Sequence, residues 1–290
     1  MNSTQTAVEK ENNVEDPYYQ VENIAAGTVL LLLGIIGSYF NVRNCLVMTY
    51  VRDYHTSYGY LCIFRSFCNI ANLLPVVLFT APETLFNLYG SGTEISRNLG
   101  LITGVFYLAI PVVQIAIAFN RAIALFWPMK YKSWCSEKWA KVVIVIGLTV
   151  GCFSGAYDLF AKCSYIYVLE DLSWNYVDCP RTDLDFVFNY PLIAMTRILH
   201  TTNEENGRLK KNLKLFWQGL LQEIFFGNDM LFNTVLGTLI EHRIWWFVSY
   251  TLMWSVGHTL DGVIFYCFNR ELRRKVTFTR QTATASVITM

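Results

Sequence analysis

Charge is what this chain lacks most. Only 16% of its 290 residues are charged, where a soluble domain carries roughly 25%. The deficit excludes an ordinary soluble protein. The net charge of +1 gives no basic footprint for a nucleic acid. Residues 1–20 are polar and acidic-leaning, without the apolar core of a cleavable signal peptide. There is also no metal-ligand cluster, no nucleophile triad, no Gly-rich phosphate loop and no carboxylate pair. Enzymatic chemistry, a metal site and a resident cofactor are therefore not expected. No internal repeat appears, which counts against a transporter built from inverted halves.

What is present is apolar length. Runs able to span a bilayer, about 20 residues each, lie near 23–49, 59–80, 98–126, 141–161, 213–240 and 245–268, with a weaker one at 185–200. A seven-span reading puts fifteen Lys and Arg on one side and five on the other. Basic residues stay cytoplasmic, so the N-terminus is expected outside and the C-terminus inside. The first span would act as an uncleaved signal anchor. The expected layout is an extracellular tail at 1–22, a seven-helix domain at 23–268 and a cytoplasmic tail at 269–290. Asn2-Ser3-Thr4 is a glycosylation sequon, and Asn2 is its acceptor if used.

The fifth span departs from this plan. Asp185 to His200 is sixteen residues, about 24 Å of helix against about 30 Å of hydrocarbon. Dropping it would move the basic tail outside, so a short fifth helix is expected. Local bilayer thinning accommodates such a helix. A shortened gene copy gives the same pattern.

Several polar residues inside the spans need a role. Arg121 ends the third run and is followed by Ala124, Pro128, Met129 and Tyr131. Simple snorkelling is its plain role. The spacing, however, resembles the third-helix signature of rhodopsin-like G-protein-coupled receptors, in which the arginine is a cytoplasmic switch. The acidic residue that precedes it there is Asn120 here, so Glu223 in the sixth span is the candidate partner. Asp261 and Gly262 resemble the Asn-Pro of the seventh-helix element, with Phe265 in the tyrosine place and Tyr266 one position late. Polar glue between helices is the alternative for Asp261. Residues 269–276 form a basic amphipathic stretch suited to anionic lipid.

Arg65, Asn69 and Asn72 in the second span must find partners in the bundle. Asn72 stands where an aspartate would hold sodium, so no sodium site is expected. Gln218, Gln222, Asp229 and Asn233 share one helical face; the first two are expected to bond between helices, and the outer two to line a pocket. Cys45, Cys62, Cys68, Cys152 and Cys267 lie within spans as small apolar residues, and Cys135 is expected reduced. Cys163 and Cys179 share an outer loop with Tyr165, Tyr167, Trp174 and Tyr176, in an oxidising compartment. A disulfide between them is expected, two free thiols being the alternative. Most rhodopsin-like receptors tie this loop to the third span, but Ser96 occupies that position, twenty-five residues before Arg121.

Together, Asn120-Arg121 with Phe126-Trp127-Pro128, the Cys163…Trp174…Cys179 loop, Gln218, and the stretch from His258 to Glu271 resemble the nematode serpentine chemoreceptors of class x. The likeness runs over about residues 25–275. It implies an all-α, rhodopsin-like bundle of seven transmembrane helices, coupling to a heterotrimeric G protein, and a chemosensory role at the plasma membrane of neuronal cilia. The ligand would be a small molecule, and Tyr107, Gln114, Asp229, Asn233, Tyr250 and Trp254 are candidates for its pocket. The family has a fuller fifth span, so a non-signalling or retained remnant is the alternative function, with a small transporter or channel behind it.

Overall fold

The computed structural model describes residues 17–90, 93–160, 163–177, 209–269 and 272–273. Among them are six membrane-length helical segments, one short helix and one hairpin. Helix α1 is Pro17–Tyr50, starting before the span expected from residue 23. Helix α2 is Ser57–Phe86, passing through a π turn at Val76–Thr80 just after Pro75. Helix α3 is Glu94–Phe126 and α4 is Pro128–Trp134. Helix α5 is Glu137–Phe160, strands β1 and β2 are Ser164–Val168 and Ser173–Val177, and α6 is Leu209–Thr234. Helix α7 runs over 243–268 and contains a π turn at Phe247–Leu252. The segment 185–200, expected as the fifth span, lies outside the described residues, as do Asn2 and most of the basic stretch 269–276.

Local chemistry sets the boundaries. Thr56 caps α2 by accepting from the Gly59 amide at 3.2 Å, and Thr93 caps α3 by accepting from the Ser96 amide at 3.4 Å. Each satisfies one of the orphan donors of a first helical turn. Asn87 closes α2 in the left-handed region at φ 49°, where asparagine costs least after glycine. After Arg121 helix α3 continues to Phe126, and the chain then folds into α4. Pro128 opens that helix at a first-turn position, where its missing N–H costs nothing. The sixth span was expected to reach 240; α6 stops at Thr234 and a 3-10 turn at Leu236–Thr238 follows.

Four helices, α1, α2, α3 and α5, are long and apolar enough to cross a membrane. Their outer faces fit lipid: Leu32, Ile35 and Ile36 on α1, and Val142, Val145, Ile146 and Phe153 on α5, are exposed. The inner face of α5 is a stripe of small residues, Gly147, Gly151 and Gly155, all buried. A Cβ at Gly151 would collide with the Val105 carbonyl of α3, so the small residue sets the spacing between these helices. Apolar clusters fill both ends of the bundle. One, around Trp174, Tyr167, Phe247 and Trp254, lies beneath the hairpin; the other, around Met48, Leu61, Val113 and Phe265, lies at the opposite end and includes Leu272.

The hairpin is plugged into the bundle. Its register pairs Tyr165 with Tyr176 and Tyr167 with Trp174, and Trp174 and Tyr167 are 2% and 1% exposed. Ser96 Oγ accepts from the Tyr167 amide at 2.8 Å. The position where a covalent tie was absent thus carries a buried hydrogen bond to the same loop. Thr84 donates its hydroxyl proton to the Thr80 carbonyl at 2.6 Å, so the Tyr167 hydroxyl is the donor in its 2.7 Å contact with Thr84 Oγ1. Burial holds the Tyr167 phenol above its ordinary range, which keeps that proton in place. Cys163 is disulfide-bonded, while Cys45, Cys62, Cys68, Cys135, Cys152 and Cys267 are free thiols; Cys179 lies outside the described residues.

Candidate functional site

Three polar constellations occupy an apolar bundle, at its middle, toward the hairpin end and at the far end. The middle one centres on Asp261 of α7. Its Oδ1 takes an ion pair from Arg65 Nη2 of α2 at 2.6 Å and a hydrogen bond from Gln222 Nε2 of α6 at 2.7 Å. Its Oδ2 accepts from Asn69 Nδ2 of α2 at 2.5 Å. The Arg65 and Asp261 side chains are only 7% and 11% exposed. A buried carboxylate with a cation and two further donors satisfies the conditions under which such a pair is tolerated.

The network extends into α1. Asn69 Nδ2 also donates to Asn41 Oδ1 at 3.1 Å, Asn41 Nδ2 donates to the His258 carbonyl at 3.2 Å, and Asn44 Nδ2 donates to the Gly262 carbonyl at 2.9 Å. Since Asn69 presents its nitrogen to the carboxylate, its oxygen faces His258 Nδ1 at 2.9 Å. That nitrogen therefore carries the proton. Gly262 earns its place sterically, because a Cβ there would strike the Asn41 amide. Three helices, α2, α6 and α7, thus meet at one carboxylate, and α1 joins them through Asn69 and the α7 backbone.

The second constellation lies one helical turn or more away from this network on α6, nearer the hairpin. Tyr107 of α3 donates to Asp229 Oδ2 at 3.0 Å, and Asn233 Nδ2 donates to Asp229 Oδ1 at 3.3 Å. Asp229 is 2% exposed. Aromatic rings surround it: Tyr107 packs on Phe226 at 5.8 Å and on His258 at 6.1 Å, and Trp254 meets the His258 ring edge at 5.4 Å. So of the pocket candidates, Tyr107, Asp229, Asn233 and Trp254 come together. Gln114 is buried on the Tyr107 helix, with an Nε2 that makes no hydrogen bond. Tyr250 points elsewhere, packing against Gly237 of the turn after α6.

At the opposite end, Asn120 Nδ2 donates to Ser57 Oγ at 2.5 Å and accepts on Oδ1 from the Tyr131 hydroxyl at 3.0 Å. Burial raises the Tyr131 phenol above its ordinary range, against the pull of its Ser57 and Asn120 hydrogen bonds. Arg121 Nη2 donates to the Tyr58 hydroxyl at 2.8 Å, with its guanidinium 5.3 Å from the centre of that ring. Ala124 is exposed and Pro128 begins α4. The Glu223 side chain, expected as the partner of Arg121, lies outside the described residues. Tyr266 turns to α1, 5.1 Å from Phe40 and under the Arg43 guanidinium at 4.8 Å, while Phe265 enters the core.

Two features were not read from the sequence. Asn41 and Asn44 were passed over as part of the first apolar run, although polar side chains at membrane depth are themselves a signal. Arg243 was counted only as an outer charge. It clasps the hairpin turn and α1: Nε to the Glu170 carbonyl at 2.7 Å, Nη1 to Glu22 Oε2 at 2.6 Å, and Nη2 to Asn23 Oδ1 at 2.5 Å. Nothing local in the sequence announces that contact, whose partners are far apart along the chain. No group of His, Cys, Asp or Glu that could hold a metal occurs among the described residues.

Comparison with known proteins adds the following. A family profile described as serpentine type 7TM GPCR chemoreceptor Srx matches residues 31–203 and 183–269. The two matches share 183–203, where the fifth span was expected. No curated protein matches the chain. The crystal structure of squid rhodopsin superposes with a TM-score of 0.72, covering 88% of this chain and 84% of the squid chain at 12% identity. At that identity the likeness concerns the fold, and it makes this architecture a rhodopsin-like seven-helix membrane bundle.

Proposed function

The chain belongs to the serpentine seven-transmembrane chemoreceptor family Srx, a family of G-protein-coupled receptors, and on that premise we propose that it detects an extracellular small molecule and signals through a heterotrimeric G protein. The hairpin end faces outward, a reading supported by the fifteen-to-five distribution of basic residues. The chain acts at the plasma membrane, in the cilia of sensory neurons.

The observation that carries this reading is the hydrogen bond from Gln222 to Asp261. It joins α6 to the Arg65–Asp261 pair, and so to α2 and α7, in one bonded arrangement. Two-state signalling needs an element whose contacts differ between packings. Outward movement of α6 breaks this bond and the Tyr107–Asp229 bond together. A ligand that binds Asp229 more tightly in the moved state then shifts the equilibrium toward it. At the inner end, the same movement uncovers Arg121, with Asn120, Ala124, Pro128, Tyr131 and Glu223 shaping the surface offered to the G protein. Asp261, Gly262 and Tyr266 complete the switch on α7.

Membranes carrying the chain should accelerate nucleotide exchange on an added G-protein heterotrimer. Arg121→Ala, at matched surface level, should return the rate to that of membranes without receptor. Equal rates for wild type and Arg121→Ala would contradict the reading.

A further inference from the structure

Asp229 is a carboxylate buried at membrane depth whose hydrogen-bond donors among the described residues are neutral, the Tyr107 hydroxyl and the Asn233 amide. No cation among the described residues pairs with it, whereas Asp261 has Arg65 at 2.6 Å. A buried carboxylate is costly without a compensating charge, and an ionisable residue inside a membrane bundle marks a functional site. Each oxygen of a carboxylate accepts about two hydrogen bonds, so both retain acceptor capacity.

Room and aromatic faces adjoin it. Gly257 of α7 stands opposite, and among the described residues a Cβ placed there would meet Asp229 Cβ at 4.0 Å, an ordinary contact that leaves room for a methyl group. Tyr107, which donates to Asp229, packs on Phe226 and on His258, and Trp254 joins through the His258 ring; aromatic faces attract cations. At the hairpin end, a separate cavity of about 550 Å³ is lined by Tyr18, Tyr19 and Trp246 together with Glu22, Asp171 and Glu241. Its one arginine, Arg243, already sits over the Tyr19 ring at 4.7 Å and pairs with Glu22. That contact shows the lining accepting a cation on an aromatic face. Carboxylates in a low-dielectric mouth concentrate cations from solution.

We infer that the ligand is an organic cation, gathered at the acidic and aromatic outer cavity and bound through its ammonium group by Asp229. This rests on the small-molecule receptor reading above and names the chemical class that the site takes. The ammonium N–H groups fill the acceptor positions that Tyr107 and Asn233 leave open, as charge-assisted bonds. The substituent carrying the ammonium packs among Phe226, Trp254 and the space at Gly257. A carboxylate or phosphate ligand meets repulsion at both places.

The test uses the purified full-length receptor and its thermal unfolding, which needs no G protein. The probes are 2-phenylethylamine, N,N-dimethyl-2-phenylethylamine and choline, with 2-phenylethanol and 3-phenylpropanoate as the neutral and anionic counterparts. Binding to the native state raises the midpoint. At least one amine should stabilise wild type in a saturable way where the alcohol and the carboxylate do not, and Asp229→Asn should weaken its apparent affinity by roughly 10- to 100-fold. The inference is overturned if the alcohol or carboxylate stabilises as well as the amines, if no amine stabilises, or if Asp229→Asn leaves the amine shift intact. Nucleotide exchange that depends on Arg121 separates the two readings: its presence with failed amine binding removes only the ligand class, and its absence removes the receptor reading.

Discussion

Asp261 and Asp229, two of the aspartates buried in this bundle, are satisfied in opposite ways. Asp261 is closed from within: Arg65, Gln222 and Asn69 approach its two oxygens, and α1 joins through Asn41 and Asn44. Asp229 receives one neutral bond on each oxygen and lies beside the space that Gly257 leaves open. The difference teaches what each carboxylate does. A charge neutralised by its own protein fixes the relation between helices, and a charge left to neutral partners is the one we propose a ligand meets.

Substitutions should separate the two. Asp261→Asn keeps the shape but strands Arg65 as a buried unpaired cation, and should cost about 3–5 kcal/mol, read as a lowered unfolding midpoint of the purified receptor. Gly262→Ala drives a methyl group into the Asn41 amide and should cost about 1–3 kcal/mol, with loss of the Asn41 bonds that brace the Asp261 side. Ser96→Ala acts outside both clusters: it leaves the buried Tyr167 amide without its acceptor and should cost about 1–2 kcal/mol by loosening the hairpin. Asp229→Asn can keep the Asn233 bond on its oxygen and donate from its new amide nitrogen to the Tyr107 hydroxyl, which then accepts, and it removes an uncompensated charge. It should cost less than about 1 kcal/mol in the same unfolding measurement, and a loss as large as that of Asp261→Asn would erase the comparison.

Much of the architecture was legible in the sequence, because lipid imposes it. Six of the expected apolar runs are helices, and Gln222 does what its inner position on the polar face of α6 suggested, bonding to a neighbouring helix. Thr56, Thr93 and Pro128 set element ends by ordinary capping and first-turn rules. The pairing was not legible. Arg65 and Asp261 were each recognisable as polar groups in need of partners, yet 196 residues separate them and only packing brings them to 2.6 Å. Arg243 hid its clasp in the same way, since Glu22 and the Glu170 carbonyl reach it from distant elements. The hairpin escaped notice because its aromatic residues read equally well as a loop closed by Cys163. Tyr266 shows the limit of motif analogy: one position out of register, it turns to Phe40 and Arg43 on α1.

The most direct test of the internal neutralisation is a rescue. Asp261→Asn should lower the unfolding midpoint of the purified receptor, and adding Arg65→Met, which removes the stranded charge while keeping its length, should restore most of the loss. A double variant no more stable than Asp261→Asn alone, or an Asp261→Asn receptor as stable as wild type, would contradict the assignment of Arg65 as the built-in cation of Asp261.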